Sequence, residues 1–134
     1  MVGRLDNYLS FNEASLSLRA QRQQLLASNI ANADTPNYQA RDIEFSSALK
    51  SALSNSGGPS AGLAKTDVAH LSGKTSGLGG APLLYRTVQQ GSIDGNTVDM
   101  DVERNQFADN AIRYEAGLTM ISAQIKKMLS VIQG

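Results

Sequence analysis

The chain has 134 residues, room for one ordinary domain or for a long hairpin of helices. Its 12 Lys and Arg balance 12 Asp and Glu, so it has no long-range electrostatic pull toward nucleic acid or anionic lipid, neither is expected as a partner, and no run is apolar enough to predict a membrane span. Zero Cys and a single His exclude thiolate chemistry, disulfide frameworks and a multi-histidine metal site within one chain, and no cofactor is expected.

The N-terminal sequence MVGRLDNYLSFNEASL carries no apolar h-region, so it does not read as a Sec-type signal peptide. Arg4 to Asn32 predicts one helix, capped at Asp6, or at Ser10 with Glu13 completing a capping box. At 100° per residue, Leu5, Leu9, Leu16, Leu26 and Ile30 gather on one face, while Phe11, Ala14, Leu18 and Leu25 gather nearly opposite. A surface helix in a monomer needs one apolar stripe, and two predict contacts on two sides. The helix ends near Asp34, because Pro36 disfavours α geometry at Thr35.

The segment that follows is a stop and a turn. Asn29 and Asn32 sit at the helix end, where side-chain amides can satisfy open carbonyls. Thr35-Pro36-Asn37-Tyr38 fits a type II turn with Asn37 at the position that wants positive φ. Asp42 to Leu53 predicts a short helix with Phe45, Leu49, Ala52 and Leu53 on one side. Ser54 to Pro82 contains GGPSAG and GKTSGLGG and predicts a flexible, low-complexity stretch, so His70 within it reads as a solvated loop histidine. Gly73-Lys74-Thr75 lacks the upstream Gly of a phosphate loop. Leu83–Val88 and Ile93–Val98 are strand candidates, with turn chemistry at Asp94-Gly95-Asn96. An EF-hand loop starting at Asp94 would need Gly and Glu where Asp99 and Asn105 stand, so the acids here predict a turn and a helix cap rather than a calcium site.

The C-terminal segment carries the clearest pattern. Phe107, Ala111, Tyr114, Leu118, Ile121, Ile125, Met128 and Ile132 are spaced alternately by four and three, an unbroken heptad seam. It predicts a helix over Val102–Ile132, capped at Asp99 or Asp101, with Lys126 and Lys127 complementing the dipole at its end. Gly117 within it marks either a close approach or an inert position. Both terminal helices come to roughly 43–47 Å at about 1.5 Å per residue. The predicted fold is therefore mainly α. Its long terminal helices pair as an antiparallel, coiled-coil-like hairpin around a short, flexible middle with β content. The chain divides into residues 1–34, 35–98 and 99–134. One partner helix covers only part of the apolar surface on offer, and exposed stripes mark interaction surfaces, so the spacing predicts an assembly protein.

The segment LLASNIANADTPNYQARD, with Asn29, Ile30, Asn32, Thr35, Pro36, Asn37 and Tyr38, resembles the N-terminal signature of the flagellar rod, hook and hook-associated family of axial proteins. SIDGNTVDMDVERNQFADNAIRYEAGL and the C-terminal heptad helix extend the resemblance to about two-thirds of the chain, the Ser/Gly-rich middle excepted. The family motif has Gly where this chain has Asn37, and Asn is the next residue able to hold that turn. The resemblance implies a structural subunit of the proximal rod of the bacterial flagellar basal body, without catalysis. Its terminal helices would pack with other copies and other rod proteins into a hollow drive shaft. It further implies contacts with the small adaptor FliE, the membrane ring and the export gate, a position on the periplasmic side, and export by the flagellar type III route. The other class the seam allows is a soluble helical adaptor or export chaperone that holds one client.

Overall fold

The computed structural model describes residues 2–55, 83–87 and 92–134. His70, the glycines of 73–80 and all but the first two residues of the Ser54–Pro82 stretch lie outside the described residues. Among the described residues there are three helices and one minimal ribbon: α1 (Val2–Ala31), β1 (Arg41–Asp42), α2 (Phe45–Asn55), β2 (Leu84–Tyr85) and α3 (Met100–Gln133).

Helix α1 begins ahead of both expected caps. Nothing between Val2 and Ser10 breaks a helix except the single Gly3, so Asp6 and Ser10 lie inside it, and the Ser10 hydroxyl donates back to the carbonyl of Asn7 at 2.9 Å. Its end is where Pro36 requires. A turn follows in which the Tyr38 N–H donates to the Thr35 carbonyl at 3.3 Å and Asn37 adopts φ 60°. Asp42 does not join α2. It lies in β1, and Glu44 opens the helix instead, its carboxylate accepting from the Ser47 N–H at 3.1 Å. Helix α3 starts at Met100, with the Asp99 carboxylate accepting from the N–H groups of Asp101 (3.0 Å) and Val102 (3.3 Å).

The strand candidates shrink. Of the candidate Leu83–Val88, whose last residue lies outside the described ones, Leu84 and Tyr85 pair antiparallel with β1, Arg41 opposite Tyr85 and Asp42 opposite Leu84. Ile93–Val98 yields a turn and an extended segment outside the sheet: Asn37 N–H donates to the Asp94 carbonyl at 2.9 Å, and Thr97 N–H donates to that of Tyr38 at 3.0 Å. The Asp94-Gly95-Asn96 turn takes up the residues a longer strand would need.

Helices α1 and α3 pair antiparallel along their length. Asn29 meets Glu103, Gln23 meets Asn110, Leu16 faces Gly117 and Tyr8 meets Gln124, so each step down α1 is matched by a step up α3. Helix α2 folds back on the other side of α1. There Leu18, Ile43 and Ala48 form the buried core, with Leu25, Phe45, Leu49 and Leu83 packed on it. The Arg19 guanidinium stacks 4.2 Å from the centre of the Phe45 ring and roofs this contact. Part of the second α1 stripe is therefore covered within the chain: α2 takes Leu18 and Leu25, while Phe11 remains exposed and Ala14 half-buried. No described helix is long and apolar enough to cross a membrane.

Candidate assembly interface and its polar junction

The α1–α3 contact is not the apolar seam that the heptad spacing predicts. The residues of α3 turned onto α1 form a column seven apart: Glu103, Asn110, Gly117 and Gln124. Glu103 and Asn110 are the only buried residues of that helix. Asn110 Nδ2 donates to the Arg19 carbonyl at 2.9 Å and to Gln23 Oε1 at 2.7 Å, and Gln124 Nε2 donates to the Tyr8 hydroxyl at 3.0 Å. At Gly117 a Cβ would stand 2.9 Å from Leu16 Cδ2, so the close approach is that of a side chain.

The predicted seam therefore splits into two columns. Phe107, Tyr114, Ile121 and Met128 alternate with the polar column and are half-buried. Ala111, Leu118, Ile125 and Ile132 are turned aside, and the last three are 38%, 45% and 81% exposed. The rotation has a physical cause: Glu103 and Asn110 find buried partners on α1, and inserting them turns the neighbouring apolar column outward. On α1, Leu26 is fully buried and Leu9, Leu16 and Ile30 are half-buried, whereas Leu5 is 39% exposed. Between the helices a groove of ≈ 450 Å³ is lined by Leu9, Leu16, Ala20, Tyr114 and Ile121 together with the polar Glu13 and Ser17. A second, of ≈ 370 Å³, continues past Ala20 and Tyr114 to Gln24 and Ala111.

At the turn end the contact becomes a polar junction centred on Asn29, which is wholly buried. Its Nδ2 donates to the Arg41 carbonyl (2.8 Å) and to Glu103 Oε2 (3.2 Å). Its Oδ1 accepts from the Arg41 N–H (3.1 Å) and the Tyr38 hydroxyl (3.2 Å). One amide thereby uses both donors and two acceptor positions to tie α1, the turn, β1 and α3. The helix-end carbonyls are served by others. Asn32 reaches its own Ser28 carbonyl at 2.8 Å, and Asn96 donates to the carbonyls of Asn32, Ala33 and Thr35 at 2.8–3.0 Å.

Three ion pairs close the junction. Arg22 grips Asp42 in two places, Nε to Oδ1 at 3.0 Å and Nη2 to Oδ2 at 3.1 Å, and also reaches Gln106 at 2.7 Å. Arg86 donates to Asp42 Oδ2 at 2.7 Å and to Glu103 Oε1. Burial pushes the Asp42 carboxyl upward, but the Arg22 and Arg86 hydrogen bonds outweigh it and hold the group below the ordinary carboxylate range. Burial dominates at Glu103, whose carboxyl is pushed up despite Asn29 and Arg86, the Asp42 charge adding to the shift. The four charges cancel in pairs, and the arrangement offers no nucleophile beside a base and no group of metal-binding side chains among the described residues.

Of the motif residues, the structure brings Asn29, Asn32, Thr35 and Tyr38 into this junction and places Asn37 beside Gly95. A Cβ on Gly95 would sit 2.6 Å from Asn37 Oδ1, and its φ of +76° is itself strained for any side chain. Pro36 is exposed and Ile30 half-buried. Arg22, Asp42, Arg86, Asn96, Glu103 and Asn110 are not apparent as site residues from the sequence. The signal available for two of them is the seven-residue spacing of Glu103, Asn110, Gly117 and Gln124, parallel to the apolar one.

The family model described as "Flagella basal body rod protein" matches residues 12–39, the part of α1 that leads into the junction together with the turn. Similar curated proteins include the flagellar basal body rod protein FlgB of Salmonella typhimurium strain LT2, 50% identical over 136 residues, covering 100% of this chain and 99% of that protein. FlgB of Yersinia enterocolitica is 49% identical, with 99% and 98% covered. FlgB of Escherichia coli K12 is 48% identical, with the same coverage.

Proposed function

The chain belongs to the family of flagellar basal body rod proteins FlgB and is a structural subunit of the rod, and from that premise we propose that it assembles through the half of its heptad seam that α1 leaves uncovered. The observation that carries this reading is the split of the seam. Leu118, Ile125 and Ile132 continue the column of the half-buried Ala111 as exposed apolar side chains that no other described helix covers, beside a groove lined by Leu9, Leu16, Tyr114 and Ile121. A terminal helix of a neighbouring rod subunit fits that geometry: it would lie along the groove and convert the helical pair into a three-helix contact. Burying the column contributes on the order of 1.5–3 kcal/mol for each large side chain, enough to favour assembly without a large preformed core.

Repeated around an axis, such contacts give a tube whose wall is helical and whose load runs along the helices, suited to a hollow drive shaft. The subunit's terminal segments, 1–34 and 99–134, supply the wall, and 35–98 supplies the turn, α2 and the ribbon. We place it at the base of the rod on the periplasmic side, exported by the flagellar type III route, where it would meet the adaptor FliE, the membrane ring and the export gate. We assign it no catalytic step. The relatives give no support to a soluble adaptor or export chaperone.

Leu118→Asp and Ile125→Asp test this reading, because both side chains are more than a third exposed and their loss leaves the α1 contact in place. Each should abolish motility in complementation while the chain is still secreted and its α1–α3 pairing persists. Motility surviving both substitutions would show that the exposed column is not the assembly surface.

A further inference from the structure

A helix with an unbroken heptad seam is expected to turn that seam onto its partner, and α3 turns a polar column there instead. Asn110 stands in the middle of the contact and is wholly buried, with Nδ2 donating to the Arg19 carbonyl and to Gln23. Its Oδ1 is buried as well and finds no donor among the described residues. An acceptor withdrawn from water without a partner destabilises the arrangement that contains it. An arrangement with more apolar burial lies close by. Phe107 and Ala111 follow Glu103 by four and eight residues, which places their columns about 40° and 80° around the helix. A turn of α3 by about 60° would set the whole apolar seam on α1.

The members of the polar column do not hold α3 equally. Glu103 belongs to the junction, where Asn29 and Arg86 engage it in the first turn of the helix. Gly117 has no side chain to insert. Gln124 is half-buried and reaches the Tyr8 hydroxyl through an exposed hydrogen bond. Beyond Glu103, Asn110 is thus the buried residue of α3 that is bonded across to α1. Turning the helix would carry its amide away from both acceptors, so this contact opposes the rotation that apolar burial favours.

We propose that Asn110 is a positioning residue that sets the azimuth of α3 and keeps Leu118 and Ile125 turned outward for a neighbour, leaving the lone subunit less stable than an apolar residue there would make it. The proposal rests on the reading of that column as the assembly surface. A buried amide in a helical seam accepts one register and orientation of its partner, whereas leucine accepts several. Without Asn110, the groove beside Leu16 and Ile121 is free to close on the subunit's own seam. The apolar column would then be covered within the chain before any neighbour arrives.

The test is Asn110→Leu in the full chain, read in three ways. Thermal unfolding by circular dichroism should show Tm raised by about 2 °C or more, the opposite of what an ordinary buried hydrogen-bonding residue gives. The chain has no cysteine, so Ile125→Cys supplies a single thiol whose maleimide labelling reports the exposed column. Labelling should be fast in the parent and at least tenfold slower once Asn110→Leu is added. In cells, Asn110→Leu should lower motility at least tenfold while secretion of the chain continues. A lowered Tm or unchanged labelling would overturn the proposal, because Asn110 would then be a structural residue with no hold on the azimuth. Leu118→Asp tests the column independently. Motility surviving Leu118→Asp strikes the assembly reading, whereas motility lost with Leu118→Asp but kept with Asn110→Leu strikes this proposal alone.

Discussion

The two ends of the helical pair are built by different rules. At the turn end, α1, β1, α2 and α3 converge, and every buried residue of the described chain lies between Leu18 and Ala48 or between Asn96 and Asn110. At the other end, residues 3–17 and 111–133 form a two-helix stalk without one buried side chain, its apolar groups half-covered or exposed. The turn end is complete as a folded unit, while the stalk has apolar surface still to bury. Polar contacts dominate where the structure must be unique, since each buried amide or carboxylate accepts only one arrangement of partners. Apolar contacts dominate where a neighbour is still to arrive, since they tolerate adjustment and contribute only once covered. Local stability should follow the same division, with amide exchange slow around Asn29 and fast in the stalk.

The comparison breaks most severely at Asn29. Asn29→Ala would orphan the Arg41 N–H and carbonyl and remove a partner from the buried Glu103. With each orphaned buried group costing about 1–3 kcal/mol, the expected loss is about 3 kcal/mol or more. Hydrogen exchange should then show the turn end opening as readily as the stalk. A loss below about 1 kcal/mol would mean that the junction does not hold the turn end together.

The two carboxylates at the junction give a smaller, signed effect. Asp42 titrates below its unfolded value, so its stabilisation is present above the ordinary carboxylate range near pH 4 and is lost as pH falls through its lowered folded value. Glu103 titrates above its unfolded value, so its contribution is full below that range and is lost as pH rises through its raised folded value. At neutral pH, Asp42→Asn strips both Arg22 and Arg86 of their shared partner and should cost about 3 kcal/mol. Glu103→Gln leaves Arg86 paired with Asp42 and should cost less than about 1 kcal/mol. Urea unfolding at neutral and acid pH checks both, and the Asp42→Asn chain should also lack the loss of stability below pH 4 that the parent shows. Equal costs for the two substitutions would contradict the division of roles.

The sequence makes the stalk's plan legible and the junction's illegible, for physical reasons. The long helices, their antiparallel pairing, the stop before Pro36 and the positive φ at Asn37 all follow from local chemistry: periodicity, a missing N–H, a tolerated turn conformation. The azimuth of α3 does not, because it is decided by Glu103 and Asn110 finding partners some 74 and 87 residues away. A heptad count scores apolar residues and treats Glu, Asn, Gly and Gln at seven-residue spacing as surface. Asp42 reads as a helix start for the same reason: nothing local reveals that Arg22 and Arg86 will bracket it. The second α1 stripe is legible as a contact surface, but not that α2 takes its Leu18 and Leu25, because Asp42–Leu53 reads as a helix without any sign of where it docks.

The smallest effect sharpens the contrast from the stalk side. Gly117 is the only helical glycine of α3, and an alanine there gains about 1 kcal/mol in helix propensity. Its Cβ would stand 2.9 Å from Leu16 Cδ2, closer than packing allows, but Cδ2 is the tip of a flexible side chain beside an open groove. Leu16 can swing into that groove at little cost, so Gly117→Ala should change stability by less than about 0.5 kcal/mol in either direction. Thermal unfolding by circular dichroism measures it directly. If the substitution instead cost 2 kcal/mol or more, Leu16 would have to be locked as firmly as the residues around Asn29. The stalk would then be a finished core, and the exposed column of Leu118 and Ile125 would lose its physical motive for meeting a neighbour.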